Sequence, residues 1–223
     1  MSQHLDTLWY TRCPVPTGLG IAVQQGWLAD SFRASCTNIQ SLRESNDQSV
    51  RESHFDHTLV NSVRHGGNIP AIWARSVGRE TRLLGLSWAD ETQLILTRPD
   101  TGIRGVRDLK GRRFGLPKWA RVQIDFTRAQ ALRGLENALL LEGLAVKDVE
   151  IVDYVIDAGY SDTAATSESG NFVFSGRSGG HSEELVGLLR GEVDAIFLKG
   201  ASGAQLAHQF GLVTVIDTGI HPD

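Results

Sequence analysis

The 223-residue chain holds two cysteines, and one of them, Cys13, stands in "LWYTRCPVPTGLGIAV" just ahead of Pro14 and Pro16. A residue before proline is pushed to extended geometry, which places Cys13 at the end of a strand. Pro16 and Thr17 then suit a helix start. A thiol facing a helix N-terminus sees partial positive charge, which favours the thiolate and makes Cys13 a candidate reactive cysteine. The alternative reading of the same position is a small core residue. Cys36, in "FRASCTNIQ", alternates like a strand residue and reads as structural.

A second constellation is "ESHFDHTLVNSVRHGGNIP", with His54, Asp56, His57, Arg64, His65 and the pair Gly66-Gly67 before a helix-like run. His54 and His57, three apart, share a face if the segment is helical. As a metal site the pattern is weak, because no third ligand is defined. As an acid/base and anion site it is fuller. Histidine titrates near neutrality and pairs with cysteine. Arginine offers a planar fork to an oxyanion, and glycine amides ahead of a helix add donors for the same anion. A solvated polar loop is the alternative. A third stretch, "SGRSGGH", matches G-x-S-x-G around Ser178, with Asp194 and His208 downstream in nucleophile-elbow order. Too little chain follows Ser178 for the rest of a hydrolase sheet, so a Gly/Ser-rich loop is the better reading. No P-loop or dinucleotide fingerprint is present.

These residues need a frame to hold them. A net charge of −4 and 41% hydrophobic residues allow one large domain or two small ones. No basic block argues for nucleic acid, and no run approaches the ~18 apolar residues of a membrane span. The N-terminal residues lack the pattern of a signal peptide, so a soluble cytoplasmic protein with reduced cysteines is expected. Strands are expected at 8–12, 82–88, 93–98, 112–117, 149–155, 194–198 and 213–217. Helices are expected at 18–28, 106–111, 125–143, 181–193 and 204–210, with Leu132, Leu135, Leu139 and Leu140 on one face of the longest. The order is α/β with a mostly parallel sheet. A composition break near residues 98–102 suggests two lobes, 1–98 with the candidate site and 99–223.

With these residues in view, the chain resembles the 2'-hydroxybiphenyl-2-sulfinate desulfinase family. The resemblance is carried by "YTRCPVP" (10–16), "SHFDHTLVNSVRHGGNIP" (53–70), "RLLGL" (82–86), "DLKGRRFG" (108–115) and "LLRGEVDAIF" (188–197). The last two mark only the wider superfamily of sulfonate, nitrate and thiamine-precursor binding proteins. The resemblance implies a type II periplasmic-binding-protein-like fold, two α/β lobes around a cleft. It implies Cys13 as the essential cysteine, His54 as the active-site histidine, Arg64 as the arginine on the sulfinate, and Gly67 as the glycine whose N–H also binds it. It further implies C–S bond hydrolysis releasing sulfite, no metal or redox cofactor, a small aromatic sulfinate or sulfonate as ligand, and a monomer. Family members continue past the strand matching "VTVIDTG", so the first lobe is expected to be incomplete at its C-terminus. His57 and Leu59 stand where the family has other pocket residues, so a different ring is expected. The competing function is a non-enzymatic binding protein for a sulfonate-like anion, serving an ABC transporter and requiring export.

Overall fold

The computed structural model describes residues 5–13, 17–88, 90–159, 165–166, 172–173 and 182–221. Their contacts divide into two units, 1–83 with 160–174, and 84–159 with 175–223. The units part at Leu83/Leu84 rather than at residue 98, because the strand at 93–97 pairs within the second sheet.

In chain order the first unit has β1 (Thr7–Arg12), α1 (Gly18–Gln24), α2 (Trp27–Phe32), β2 (Asn38–Ser41), α3 (Gln48–Asp56), β3 (Ser62–His65) and α4 (Asn68–Ser76). The sheet is parallel with β1 in the centre, in the order β2-β1-β3. Arg12 is in register with His65, so the C-terminal ends of β1 and β3 finish together. Helix α3 is opened by Asp47, whose side chain accepts from the Ser49 N–H, and closed by His57 in a left-handed conformation. The expectation that His54 and His57 share a helix face is therefore corrected: the helix stops at Asp56. Among the described residues, the buried apolar side chains here include Leu42, Phe55, Pro70 and Ala74. Each fully buried large one is worth roughly 1.5–3 kcal/mol.

Cys36 does not lie in a strand. It caps a 3₁₀ turn (Arg33–Ser35) at φ 55° and is exposed, and β2 starts only at Asn38. The expected strand at 82–88 is also absent. Leu83, Leu84, Leu86 and Trp88 are 74, 76, 71 and 83% exposed, in chain without a helix or strand. An apolar run becomes a strand only where a neighbour takes its backbone groups, and among the described residues none pairs with it.

The second unit is built from β4 (Gln93–Thr97), β5 (Arg113–Trp119), α5 (Phe126–Leu141) and β6 (Glu150–Ile156). Two short strands, β7 (Ala165–Thr166) and β8 (Phe172–Val173), pair antiparallel and belong with the first unit. The chain then adds α6 (Glu183–Arg190), β9 (Ala195–Lys199), α7 (Gly200–Gln209) and β10 (Val213–Asp217) to the second. The sheet order is β10-β4-β9-β5-β6. It is mixed rather than mostly parallel: β5 pairs parallel with β6 and β9, while β4 pairs antiparallel with β9 and β10.

Strand alternation sorts the core into two layers. Ile95, Phe114, Leu116 and Phe197 join Leu135 and Leu139 of α5 on one face. Leu94, Leu96 and Ile196 join Leu185 and Leu188 of α6 and Ala207 of α7 on the other. Leu140 departs from its expected face and is exposed.

Candidate functional site

Strand β1 delivers Cys13. Its N–H donates to the His65 carbonyl at 2.9 Å, which extends the β1–β3 ladder by one residue beyond Arg12. The thiol is half-buried. Two residues back, and hence on the same side of the strand, Thr11 is buried and its Oγ1 lies 2.7 Å from Nδ1 of His54. The other ring nitrogen, Nε2, lies 4.0 Å from Cys13 Sγ. His54 occupies the last turn of α3, 3% exposed, edge-on to the Phe55 ring at 4.7 Å. Burial pushes its pKa well below the ordinary imidazole value, and the charges of Arg64, Arg43 and His57 act in the same direction. Burial thus favours the neutral imidazole, with Nδ1 engaged by Thr11 and Nε2 facing the Cys13 sulfur.

Arg64, on β3, ties these groups together. Its Nε donates to the His54 carbonyl at 2.8 Å, Nη1 to the Gly67 carbonyl at 2.9 Å, and Nη2 to Cys13 Sγ at 3.6 Å. Burial lowers its pKa, and the nearby Cys13 opposes that shift. Gly66 makes the approach possible. A Cβ built there falls 2.3 Å from Cys13 Sγ and 3.0 Å from Arg64 Nη2, so only a glycine leaves thiol and guanidinium room to meet. Gly67 caps the N-terminus of α4, and a Cβ built on it meets nothing within 4 Å. The amides opening such a helix have no intrahelical carbonyl.

Cys13, His54 and Arg64 thus converge, and Gly67 joins through its carbonyl. The positive partner at the thiol is not the one expected. At α1 the Gly20 N–H is taken by Thr17 Oγ1 and the Leu19 N–H by His65 Nδ1 at 3.4 Å, and the observed donor to sulfur is the Arg64 guanidinium. His57 lies off the helix, its Nε2 buried without a hydrogen-bond partner among the described residues. Ser178 lies outside the described residues. Asp194, its expected acid, is instead held by Arg113, whose N–H, Nε and Nη2 all donate to the carboxylate.

Three contributors are not singled out by residue type. Thr11 carries a visible signal, its i−2 spacing from Cys13. Gly66 shows in sequence only as half of a glycine pair. Arg43 carries none: it leaves a 3₁₀ turn (Leu42–Glu44) after β2, and its Nη2 donates to the Arg12 carbonyl at 3.2 Å. Among the described residues, no three His, Cys, Asp or Glu side chains are grouped to share a metal ion.

The fold sets the class first. The periplasmic aliphatic sulphonate binding protein SsuA from Escherichia coli aligns over 95% of this chain and 57% of its own, with a TM-score of 0.58 at 17% identity. The fold is type II periplasmic-binding-protein-like, and this likeness speaks to fold alone.

The particular resemblance is to a desulfinase. The desulfurization enzyme DszB aligns over 96% of this chain and 65% of its own, with a TM-score of 0.63 at 26% identity. Its variant with serine in place of a cysteine, solved with biphenyl-2-sulfinic acid, aligns with a TM-score of 0.59 at 26% identity over the same shares. The 2'-hydroxybiphenyl-2-sulfinate desulfinases of Rhodococcus erythropolis and Rhodococcus qingshengii are 35% identical over 114 residues, which is 50% of this chain and 29% of theirs. The chain therefore matches less than two thirds of these relatives' length. No protein-family model matches it.

Proposed function

We propose that this chain carries aryl sulfinate desulfinase chemistry, the hydrolysis of an aryl C–S bond with release of sulfite. The convergence of Cys13, His54 and Arg64 at one strand end carries the reading, and the resemblance to named desulfinases supports it. The reading includes a monomer working in the cytoplasm.

The reaction balances with water alone. An aryl sulfinate anion and one water give the arene and one hydrogen sulfite. In one route Cys13 gives its proton to the ring carbon bearing sulfur, and that carbon keeps the C–S electron pair through the new C–H bond. Sulfur dioxide leaves, water adds to it, and the proton so released returns to Cys13. In the other route the Cys13 sulfur attacks the sulfinate sulfur, the arene leaves with a proton, and water resolves the S–S-bonded intermediate. In both, His54 Nε2 is the group placed to exchange a proton with Sγ. Arg64 supplies a fixed positive charge to the sulfinate oxygens without reorganising. The fork is set beforehand by its bonds to the His54 and Gly67 carbonyls.

The test is sulfite release from 2'-hydroxybiphenyl-2-sulfinate and benzenesulfinate, beside Cys13→Ser. Release by the wild type and none by the variant is expected. Equal release by both, or none by a folded wild type, overturns the reading.

A further inference from the structure

The Cys13 site has a second arginine that the desulfinase reading leaves unused. In the parallel sheet β1 is the central strand, and Cys13 follows its C-terminal end. From β3, on one side, Arg64 brings Nη2 to 3.6 Å from the thiol. From the turn after β2, on the other side, Arg43 brings Nη2 to 3.2 Å from the Arg12 carbonyl, on the peptide leading into Cys13. Two half-buried guanidinium groups thus reach the same strand end from opposite neighbours.

We propose that Arg43 is a second anion-binding residue of this site, and that Arg43 and Arg64 together hold doubly charged sulfur oxyanions, sulfite foremost. The choice of sulfite rests on the desulfinase reading, in which it forms where the sulfinate oxygens were bound. The charge argument stands without it.

The electrostatics agree. Burial and the neighbouring Arg12 push the Arg43 pKa down to about 10, while Cys13 and Tyr10 oppose that shift. The charge of Arg43 reaches His54, as do those of Arg64 and His57. A monoanionic sulfinate needs one fork. A dianion gains from two cations that the fold has already partly desolvated, because their attraction to it is less screened than in water. Hydrogen sulfite becomes such a dianion on giving up its proton, and in that form it is released slowly and competes with substrate.

The probe is Cys13 itself in the full chain. Its alkylation by iodoacetamide is followed by mass spectrometry as the ratio of the Cys13 peptide to that of exposed Cys36, which corrects for reagent consumed by sulfite. Above neutral pH, where sulfite as well as sulfate is a dianion, both are expected to protect Cys13 at lower concentration than benzenesulfinate. Arg43→Gln should raise the half-protecting sulfite concentration about tenfold or more, and shift that of benzenesulfinate less than about threefold. Arg43→Lys keeps the charge and should retain most of the sulfite protection.

Equal losses for monoanion and dianion in Arg43→Gln, or unchanged sulfite protection, overturn the proposal. So does a loss in Arg43→Lys as large as that in Arg43→Gln. If neither variant folds, the wild type decides: benzenesulfinate protecting where sulfite and sulfate do not overturns it. Protection needs no turnover. Sulfite protection without sulfite release from any aryl sulfinate sinks the desulfinase reading and leaves the anion site standing.

Discussion

Thr11 and His54 are both buried and share a hydrogen bond of 2.7 Å between Oγ1 and Nδ1. That bond commits one ring nitrogen to Thr11 and turns the other, Nε2, toward Cys13. If the hydroxyl donates, Nε2 carries the proton and offers it to sulfur. If Nδ1–H donates, Nε2 accepts from the thiol. Either way Thr11 sets what His54 can do. Thr11→Val keeps the shape and removes the partner, leaving a buried nitrogen unmet at a cost of about 1–3 kcal/mol. The expected result is a lower unfolding midpoint and about a tenfold drop in kcat for sulfite release, with KM little changed. Thr11→Ser restores the hydroxyl and should restore both. Loss of activity in Thr11→Ser equal to that in Thr11→Val would show that the hydroxyl is not the relevant group.

Gly66 is the tightest point of the site. A Cβ at this position would stand 2.3 Å from Cys13 Sγ, closer than any real contact, so Gly66→Ala must displace the thiol, the Arg64 fork or the backbone between them. A displacement near 1 Å costs about a hundredfold in rate where reacting groups are positioned. Sulfite release should fall by that order, and the alkylation rate of Cys13 should change with it. Gly18→Ala, where a Cβ meets nothing within 4 Å, is the control and should leave both unchanged.

Arg64 points three donors in three directions, to the His54 carbonyl, the Gly67 carbonyl and the Cys13 sulfur. A lysine keeps the charge but cannot reproduce that fork. Arg64→Lys should therefore weaken sulfinate binding by about tenfold or more, since hydrogen bonds from charged groups are worth about 1.5–3 kcal/mol each. It should also lower the unfolding midpoint, because two backbone carbonyls lose a donor. Steady-state KM together with urea unfolding checks both. Unchanged values in both would remove Arg64 from the anion site.

The second unit is the more legible half in sequence. Leu94 and Leu96 alternate with Ile95 along β4, and the structure sends them to opposite core layers. Segment 82–88 has equally apolar residues, but a strand also needs a paired neighbour, and that is not written in the segment itself. Within the site, Cys13, His54 and Arg64 can be nominated from residue type, and Thr11 follows from strand alternation. Arg43 cannot, because its place depends on how the turn after β2 folds back along β1. His57 departs from its expected helix face because a helix end is set by one left-handed residue, which periodicity does not reveal.

Acid should destabilise this fold through His54. Its pKa in the folded chain is held well below its ordinary value of 6.5, chiefly by burial. The unfolded chain takes up that proton as the pH falls through about 6.5, while the folded chain does not until a lower pH. In that window the unfolded state binds more protons, so stability rises with pH. The contribution is fully present above the unfolded value and is lost as pH falls toward the depressed folded one. His57, also lowered by burial and by Arg64, acts in the same direction. Urea midpoints should therefore fall between about pH 7 and about pH 5 in the wild type. His54→Gln should start lower, because its contacts are lost, but decline less steeply, by up to one proton's worth of slope. A wild-type midpoint that is flat across this range, or a slope unchanged in His54→Gln, would show that the folded chain protonates His54 as readily as the unfolded one.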